Sequence, residues 1–316
     1  MTVVLTVDEG AWQGHIAQVA SIVGNEALIP VVKGNGYGFG RGWLARRAVA
    51  DGAATIAVGT VHELPEATGL GATVVVLTPS IATDVDDLPT DAVLTIGSAA
   101  HARDLIARRH AAPVIVKLVS SMRRYGLDAD ELHEVRNLDV AAYAIHPPLV
   151  GDDAAHVGEI ETWLARLPAA TTVDVSHVGA TAFAALRDRH PERTLRLRLG
   201  TSLWHGDKSM FGVSADVVDV RSIVCGAPAG YRATPAPATG HLVMIGAGSA
   251  HGIALLDGGR SPFHFARRRL ALLEPPHMHS SMAFVPDGEP LPAPGEVVDV
   301  QWPLIMTIAD RIVWTR

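Results

Sequence analysis

The stretch Ile29-Pro-Val-Val-Lys-Gly-Asn-Gly-Tyr-Gly-Phe-Gly40 decides how the rest of the chain is read. A short apolar run ends on a lysine, and glycine then alternates with polar and aromatic residues. Apolar residues of this kind, bounded by turn-formers, read as a buried strand. A lysine at such a strand's end, partly desolvated, has its ammonium form disfavoured. The neutral amine is a nucleophile suited to a Schiff base with an aldehyde. The glycines let backbone amides approach a phosphate closely. Tyr37 offers the same anion a hydroxyl.

Outward from Lys33 the pattern repeats. Strand candidates are Ile29–Lys33, Thr55–Val58, Thr73–Leu77, Val93–Ile96, Val114–Val119, Val140–Ile145, Thr172–Val175 and Leu195–Leu199. Between them lie stretches rich in Ala, Leu, Arg and Glu, such as Gly42–Ala50, Ala99–Arg109 and Thr181–Arg189, which read as helices. Eight βα repeats are the signature of a (β/α)8 TIM-type barrel. The count favours it over an open doubly wound sheet. After Phe211, Pro and Gly become frequent and short alternating runs follow: Val217–Val224, His241–Ile245, Glu296–Gln301 and Ile312–Thr315. The expected organisation is a barrel over 8–210, then a smaller all-β C-terminal domain over 211–316. Residues 1–7 are expected to form a strand joining that second domain.

Composition bounds the function. With 316 residues, 48% apolar and 19% charged, the chain fits a compact enzyme rather than a disordered one. A formal net charge of -7 argues against non-specific nucleic-acid binding. Cys225 is the single cysteine, so no intrachain disulfide forms, which suits a reducing cytoplasm. The first residues lack the basic start and long apolar run of a signal peptide. No apolar stretch is long enough to span a bilayer. A cytoplasmic enzyme with no nucleic-acid or membrane partner is expected.

In a barrel enzyme the chemistry sits in the loops at the C-terminal ends of the strands. The polar residues there are Lys33, Lys117, the run Met122-Arg-Arg-Tyr-Gly-Leu127, His146, the run Ser176-His-Val-Gly-Ala-Thr-Ala182, and Arg198 with Leu-Gly-Thr-Ser-Leu-Trp-His-Gly206 after it.

These segments resemble the alanine racemase family in order along the chain. The lysine stretch is similar to that family's Val-Val-Lys-Ala-Asn-Ala-Tyr-Gly-His-Gly. Met122-Arg-Arg-Tyr-Gly126 is similar to its Met-x-Arg-x-Gly, and Arg198-Leu-Gly-Thr-Ser-Leu203 to its Arg-Pro-Gly-Ile-Ala-Leu. The resemblance implies pyridoxal 5'-phosphate (PLP) on Lys33, which also serves as a catalytic base. It implies Arg124 against the cofactor's phenolic oxygen and beside the substrate, with a carbamylated Lys117 orienting it. It implies His146 supporting the arginine at the pyridine nitrogen. Tyr37, Thr181 and the backbone of Gly200 and Thr201 are implied to hold the phosphate.

Arg198 is the implied pyridine partner. Arg196, two residues away on the same strand face, is the other candidate, but the spacing to Gly200 favours Arg198. A permanent cation cannot accept the pyridinium proton. An arginine there thus favours fast deprotonation and reprotonation at Cα over routes needing a long-lived carbanion.

Racemisation needs a second base. The family takes it from the tyrosine of a Gly-Tyr-Ala-Asp-Gly motif in the partner subunit's β-domain. Here the matching Gly248-Ser-Ala-His-Gly252 has Ser249 in that place, and His251 is a further candidate. Met278-His-Ser-Ser-Met282 is similar to the family's Met-Asp-Gln-x-Met, which implies Met278 beside the substrate. His277 and His279 flank it as a His-x-His pair able to share a metal. The expected activity is therefore a PLP-dependent amino-acid racemase, a D-amino-acid-forming homodimer with shared active sites. The alternatives are a metal-assisted PLP-dependent D-3-hydroxy-amino-acid aldolase or dehydratase, and a non-catalytic PLP-binding homologue.

Overall fold

The structure is a computed structural model that describes residues 2–80 and 88–316. The contacts divide the chain into two units. One holds residues 14–36 and 40–206, and the other holds residues 1–13, 37–39 and 207–316.

The first unit is a (β/α)8 barrel. Its parallel strands are β2 (Leu28–Pro30), β3 (Thr55–Val58), β4 (Thr73–Val76), β5 (Ala92–Ile96), β6 (Val114–Lys117), β7 (Val140–Ala144), β8 (Thr172–Ser176) and β9 (Thr194–Leu199). They run in sequence order around the sheet, with β9 hydrogen-bonded to β2. All eight expected strands form, each within three residues of its expected ends. A single bridge between Val31 and Ala57, with Val32 N–H donating to the Ala57 carbonyl at 2.8 Å, links β2 to β3 and all but closes the ring. Strands buried on both faces read as unbroken apolar runs, and every residue of β5 is buried. Truncating a core residue such as Ile29, which is fully buried, to alanine costs about 2–5 kcal/mol.

The helices on the connections include α2 (Arg41–Ala50), α3 (Ala99–Ala107), α4 (Asp153–Leu164) and α5 (Ala180–Arg189). The links after β3 and β6 carry 3₁₀ segments instead, Val61–Glu66 and Ala129–Val135. Proline 65 inside the first of these cannot donate a helical hydrogen bond.

The second unit is built on antiparallel pairing. A thirteen-residue strand, Phe211–Ile223, pairs through its first half with Val3–Asp8 and Val297–Val300. Through its second half it pairs with Gly240–Ile245, which in turn pairs with Ser281–Pro286. A register shift between Val217 and Asp219 separates the two halves, and such a bulge bends a strand so that it can serve two sets of neighbours. Val3–Asp8 also pairs in parallel with Arg311–Thr315. The core of this unit includes Val3, Val217, Val243, Ile245, Phe263 and Val298.

Candidate active site

The barrel gathers its charged residues at one end. Lys33 follows β2 and stands exposed at the mouth. Its pKa is lowered from the ordinary lysine value, first by desolvation and then by the Arg124 and Arg198 guanidinium groups, with Glu63 opposing. Gly36, two residues on from Gly34, has φ 62, and a Cβ there would lie 2.4 Å from the Arg41 nitrogen. Only glycine lets the chain turn into α2 at that point.

Lys117 ends β6 and is 3% exposed. Its Nζ has no hydrogen-bond partner among the described residues. Burial, then Arg198 and Arg124, hold its pKa well below the ordinary value, which disfavours the charged amine. The loop that follows folds back onto β6: Leu127 N–H donates to the Lys117 carbonyl at 2.8 Å, and Gly126 N–H to Gly97 O at 2.9 Å. A side chain on Gly126 would meet the Val119 nitrogen at 2.4 Å. The loop carries Arg124, exposed, with its guanidinium 4.5 Å from the Tyr125 ring centre.

Two arginines point from one face of β9. Arg196 is paired with Asp174 on β8, its neighbour across the ladder, through bonds of 2.7 and 3.2 Å. Arg198 lies opposite Ser176 and is 6% exposed. Its Nη2 donates to the Ile145 carbonyl at 3.0 Å, while its Nε has no partner among the described residues. The Ser176 hydroxyl is also buried without one. The residue that receives Arg198 is therefore Ile145 through its carbonyl, one position before the His146 ring.

His146 has its pKa pushed down to about 2 by burial, then by Arg198, Lys117, His177 and Arg124. Its ring lies 4.2 Å from that of His177. His177 Nδ1 faces the carbonyls of Pro147 at 2.9 Å and Pro148 at 3.1 Å. Carbonyls only accept, so Nδ1 carries the proton. Thr181 lies exposed in the first turn of α5, and Gly200 caps the short helix α6 (Thr201–Trp204). The loops after the seventh and eighth strands of a barrel, with a short extra helix, form its frequent phosphate site.

The remaining sequence candidates lie in the other unit. Tyr37 is buried with left-handed φ 56. Ser249 is exposed on a short turn, and its N–H donates to the His277 carbonyl at 2.8 Å. His251 is 7% exposed and has both ring nitrogens engaged. Nδ1 accepts from Gly248 N–H at 3.1 Å, and Nε2 lies 3.3 Å from Asp310 Oδ2. This ring pins the turn that carries Ser249. His277 turns its Nε2 onto the buried Glu274 carboxylate, which already receives Tyr231 and Arg232 N–H. Among the described residues no group of three or more His, Cys, Asp or Glu is placed to hold a metal ion. Met278 and His279 are exposed.

Two residues of this site were missed in the sequence. Asp174, inside an apolar strand, signalled only by its mismatch with its neighbours. Glu63, in the segment Val61–Glu66, has no periodicity to set it apart from surface charge.

Among the described residues no helix is long and apolar enough to cross a membrane. Solved structures similar over the whole chain include the Bartonella henselae alanine racemase with covalently bound pyridoxal phosphate. It is 19% identical with a TM-score of 0.76, and all of both chains is covered. The alanine racemase from E. faecalis is 18% identical with a TM-score of 0.74, covering 99% of this chain and 98% of that one. The Bacillus anthracis alanine racemase with bound L-Ala-P is 17% identical with a TM-score of 0.74, covering 100% and 95%. At these identities the likeness concerns the fold. No curated protein sequence matches the chain. The family model "Alanine racemase, N-terminal domain" matches residues 7–207, nearly the whole barrel, and the chain belongs to the alanine racemase family.

Proposed function

We propose that the chain is a PLP-dependent isomerase, an amino-acid racemase that acts at Cα of its substrate. The observation that carries this reading is the state of Arg198: a buried guanidinium that among the described residues bonds a backbone carbonyl and no carboxylate, beside two lysines whose charged forms are disfavoured.

The residues fit the cofactor. The Arg124 and Arg198 guanidinium groups bring positive charge beside the buried donors Lys117 Nζ and Arg198 Nε, which have no partner among the described residues, and the phosphate and phenolate of PLP are anions that such a set would take. When bound, PLP supplies an electron sink for the pair of electrons left at Cα.

The chain's own residues do the rest. Lys33 holds the cofactor and moves the proton on one face of Cα. Arg198 would hold the ring nitrogen and, as a group that cannot take up a proton, would leave that nitrogen unprotonated. Arg124 holds the phenolic oxygen and reaches toward the substrate carboxylate, and a carbamate on Lys117 orients it. Neutral His146 keeps a further positive charge out of the site. Tyr37, Thr181 and the amides of Gly200 and Thr201 hold the phosphate, favoured by the positive ends of α5 and α6.

The second face of Cα is served by Ser249, with Met278 beside the substrate, from the β-domain of a partner subunit in a homodimer that works in the cytoplasm. The Bartonella henselae neighbour's covalently bound pyridoxal phosphate and the Bacillus anthracis neighbour's L-Ala-P support a PLP cofactor and an amino-acid substrate by likeness. The metal-assisted lyase alternative would draw on His277, whose Nε2 is already held by Glu274.

The test is incubation with a panel of L- and D-amino acids in deuterium oxide. A racemase yields both enantiomers, each with deuterium at Cα. Aldehyde or keto-acid products, above all if they depend on added divalent metal, would show a lyase instead. No exchange with any amino acid would show a carrier.

A further inference from the structure

The loop that presents Lys33 is held by a side chain from a neighbouring strand's loop. Glu63 Oε1 accepts Gly34 N–H at 3.1 Å, and Oε2 accepts Gly59 N–H at 2.7 Å. Gly34 follows Lys33 at the end of β2, and Gly59 ends β3. Arg41 Nη1 donates to the Gly34 carbonyl at 2.7 Å and lies 3.5 Å from Glu63 Oε1. The peptide units next to the lysine are thus gripped from the amide side by Glu63 and from the carbonyl side by Arg41. Arg41 is itself bonded to Glu66.

This grip falls where the barrel is weakest. β2 and β3 share one bridge, at Val31 and Ala57, and no ladder beyond it. The Glu63 carboxylate supplies what the missing rungs would, joining two loop amides through its two oxygens. It is sheltered, with its side chain 15% exposed, so its hydrogen bonds are less weakened by water. The packing is close. A Cβ built on Gly59 would lie 3.1 and 3.3 Å from the Glu63 oxygens and 3.3 Å from Lys33 Cβ. The lysine stem, the carboxylate and the glycine meet at one point.

We propose that Glu63 is the positioning residue of the lysine loop: it fixes the Gly34 peptide, and with it the direction of the Lys33 side chain. The proposal rests on the reading of Lys33 as the functional amine. The charges that face Lys33 are Arg124 and Arg198, which disfavour its ammonium form, and Glu63, which favours it. Arg41 and Glu66 stand behind Glu63 and partly offset each other. An amine that must both accept and return a proton needs an affinity near the working pH. Two arginines without an opposing carboxylate would leave it a poor acceptor.

The test uses the full chain without added cofactor, so its outcome does not depend on whether PLP binds. In Glu63→Gln the carboxamide turns an N–H toward one of the two backbone donors and loses that bond. Hydrogen exchange at the Gly34 or Gly59 amide should then rise about tenfold, the effect of one ordinary hydrogen bond. The Lys33 pKa, read from the pH dependence of its labelling by trinitrobenzenesulfonate, should fall. Faster exchange with an unchanged Lys33 pKa would mean a merely structural link and overturn the proposal, as would unchanged exchange. If the variant does not fold, the wild-type chain still decides. The Gly34 and Gly59 amide proton shifts must move together as one carboxyl group titrates, and separate or absent responses overturn the shared carboxylate.

Discussion

Asp174 and Arg196 face each other across β8 and β9 and share two hydrogen bonds, two residues before Ser176 faces Arg198. The pairing sorts two arginines that alternate on one strand face. Arg196 spends its charge on a fully buried carboxylate, and Arg198, nearer the mouth, keeps its own. Removing one partner of a buried pair leaves the other uncompensated, at about 3–5 kcal/mol. Asp174→Asn should therefore lower stability to urea by about 3 kcal/mol, toward the lower end because Arg196 is 19% exposed. A loss no larger than that of an exposed pair would show that the barrel interior solvates Arg196 by itself.

His146 gives a pH dependence whose sign is fixed. Its ordinary pKa is about 6.5, and burial with the surrounding cations takes it to about 2 in the folded chain. Between these values the unfolded chain binds a proton that the folded chain does not. This residue's contribution is thus intact above about pH 6.5 and is lost as pH falls toward 2, with a slope of at most about 1.4 kcal/mol per pH unit. In His146→Gln the denaturation midpoint should fall less steeply over that window. Equal slopes in both proteins would place the acid sensitivity elsewhere.

Lys117 is expected to react with carbon dioxide. A buried amine whose charged form is disfavoured by burial and by Arg198 and Arg124 gains by becoming an anion, and a carbamate is the anion it can form. With ¹³C-bicarbonate the wild-type chain should show a carbamate resonance that is absent in Lys117→Met. An identical spectrum from both proteins would leave Lys117 unmodified and Arg124 without its expected brace.

Shared active sites predict rescue by mixing. If Ser249 serves Lys33 of the partner subunit, Lys33→Ala and Ser249→Ala homodimers are each impaired. A hybrid dimer of the two regains one site with both residues intact. Unfolding and refolding the two variants together should restore exchange at Cα that neither has alone. A mixture no more active than the sum of its parts would place both residues in one subunit's site, or Ser249 outside it.

Much of the barrel was legible in the sequence. Strands buried on both faces leave runs such as Thr73-Val-Val-Val76, bounded by turns, that admit few other readings. Strand ends were less sharp, because the polar residue that closes each run, Lys33 or Lys117 for instance, belongs to the loop or to the strand according to one hydrogen bond. The candidate site was legible where its residues follow strands directly. It was hidden where partners come from far along the chain. Nothing near Arg196 says that Asp174, rather than a cofactor, receives it. Nothing in Val61–Glu66 says that Glu63 reaches back to Gly34. For His251 the sequence shows the residue's type and not the Gly248 and Asp310 groups beside its two nitrogens.

The most direct measurement is the visible absorption spectrum of the purified protein with PLP, beside that of Lys33→Ala. The account predicts a band characteristic of the cofactor joined to a lysine in the wild-type chain, and its loss in the variant. A band of equal strength in both would mean that another amine holds the cofactor. No band in either, even with added PLP, would contradict the account at its centre.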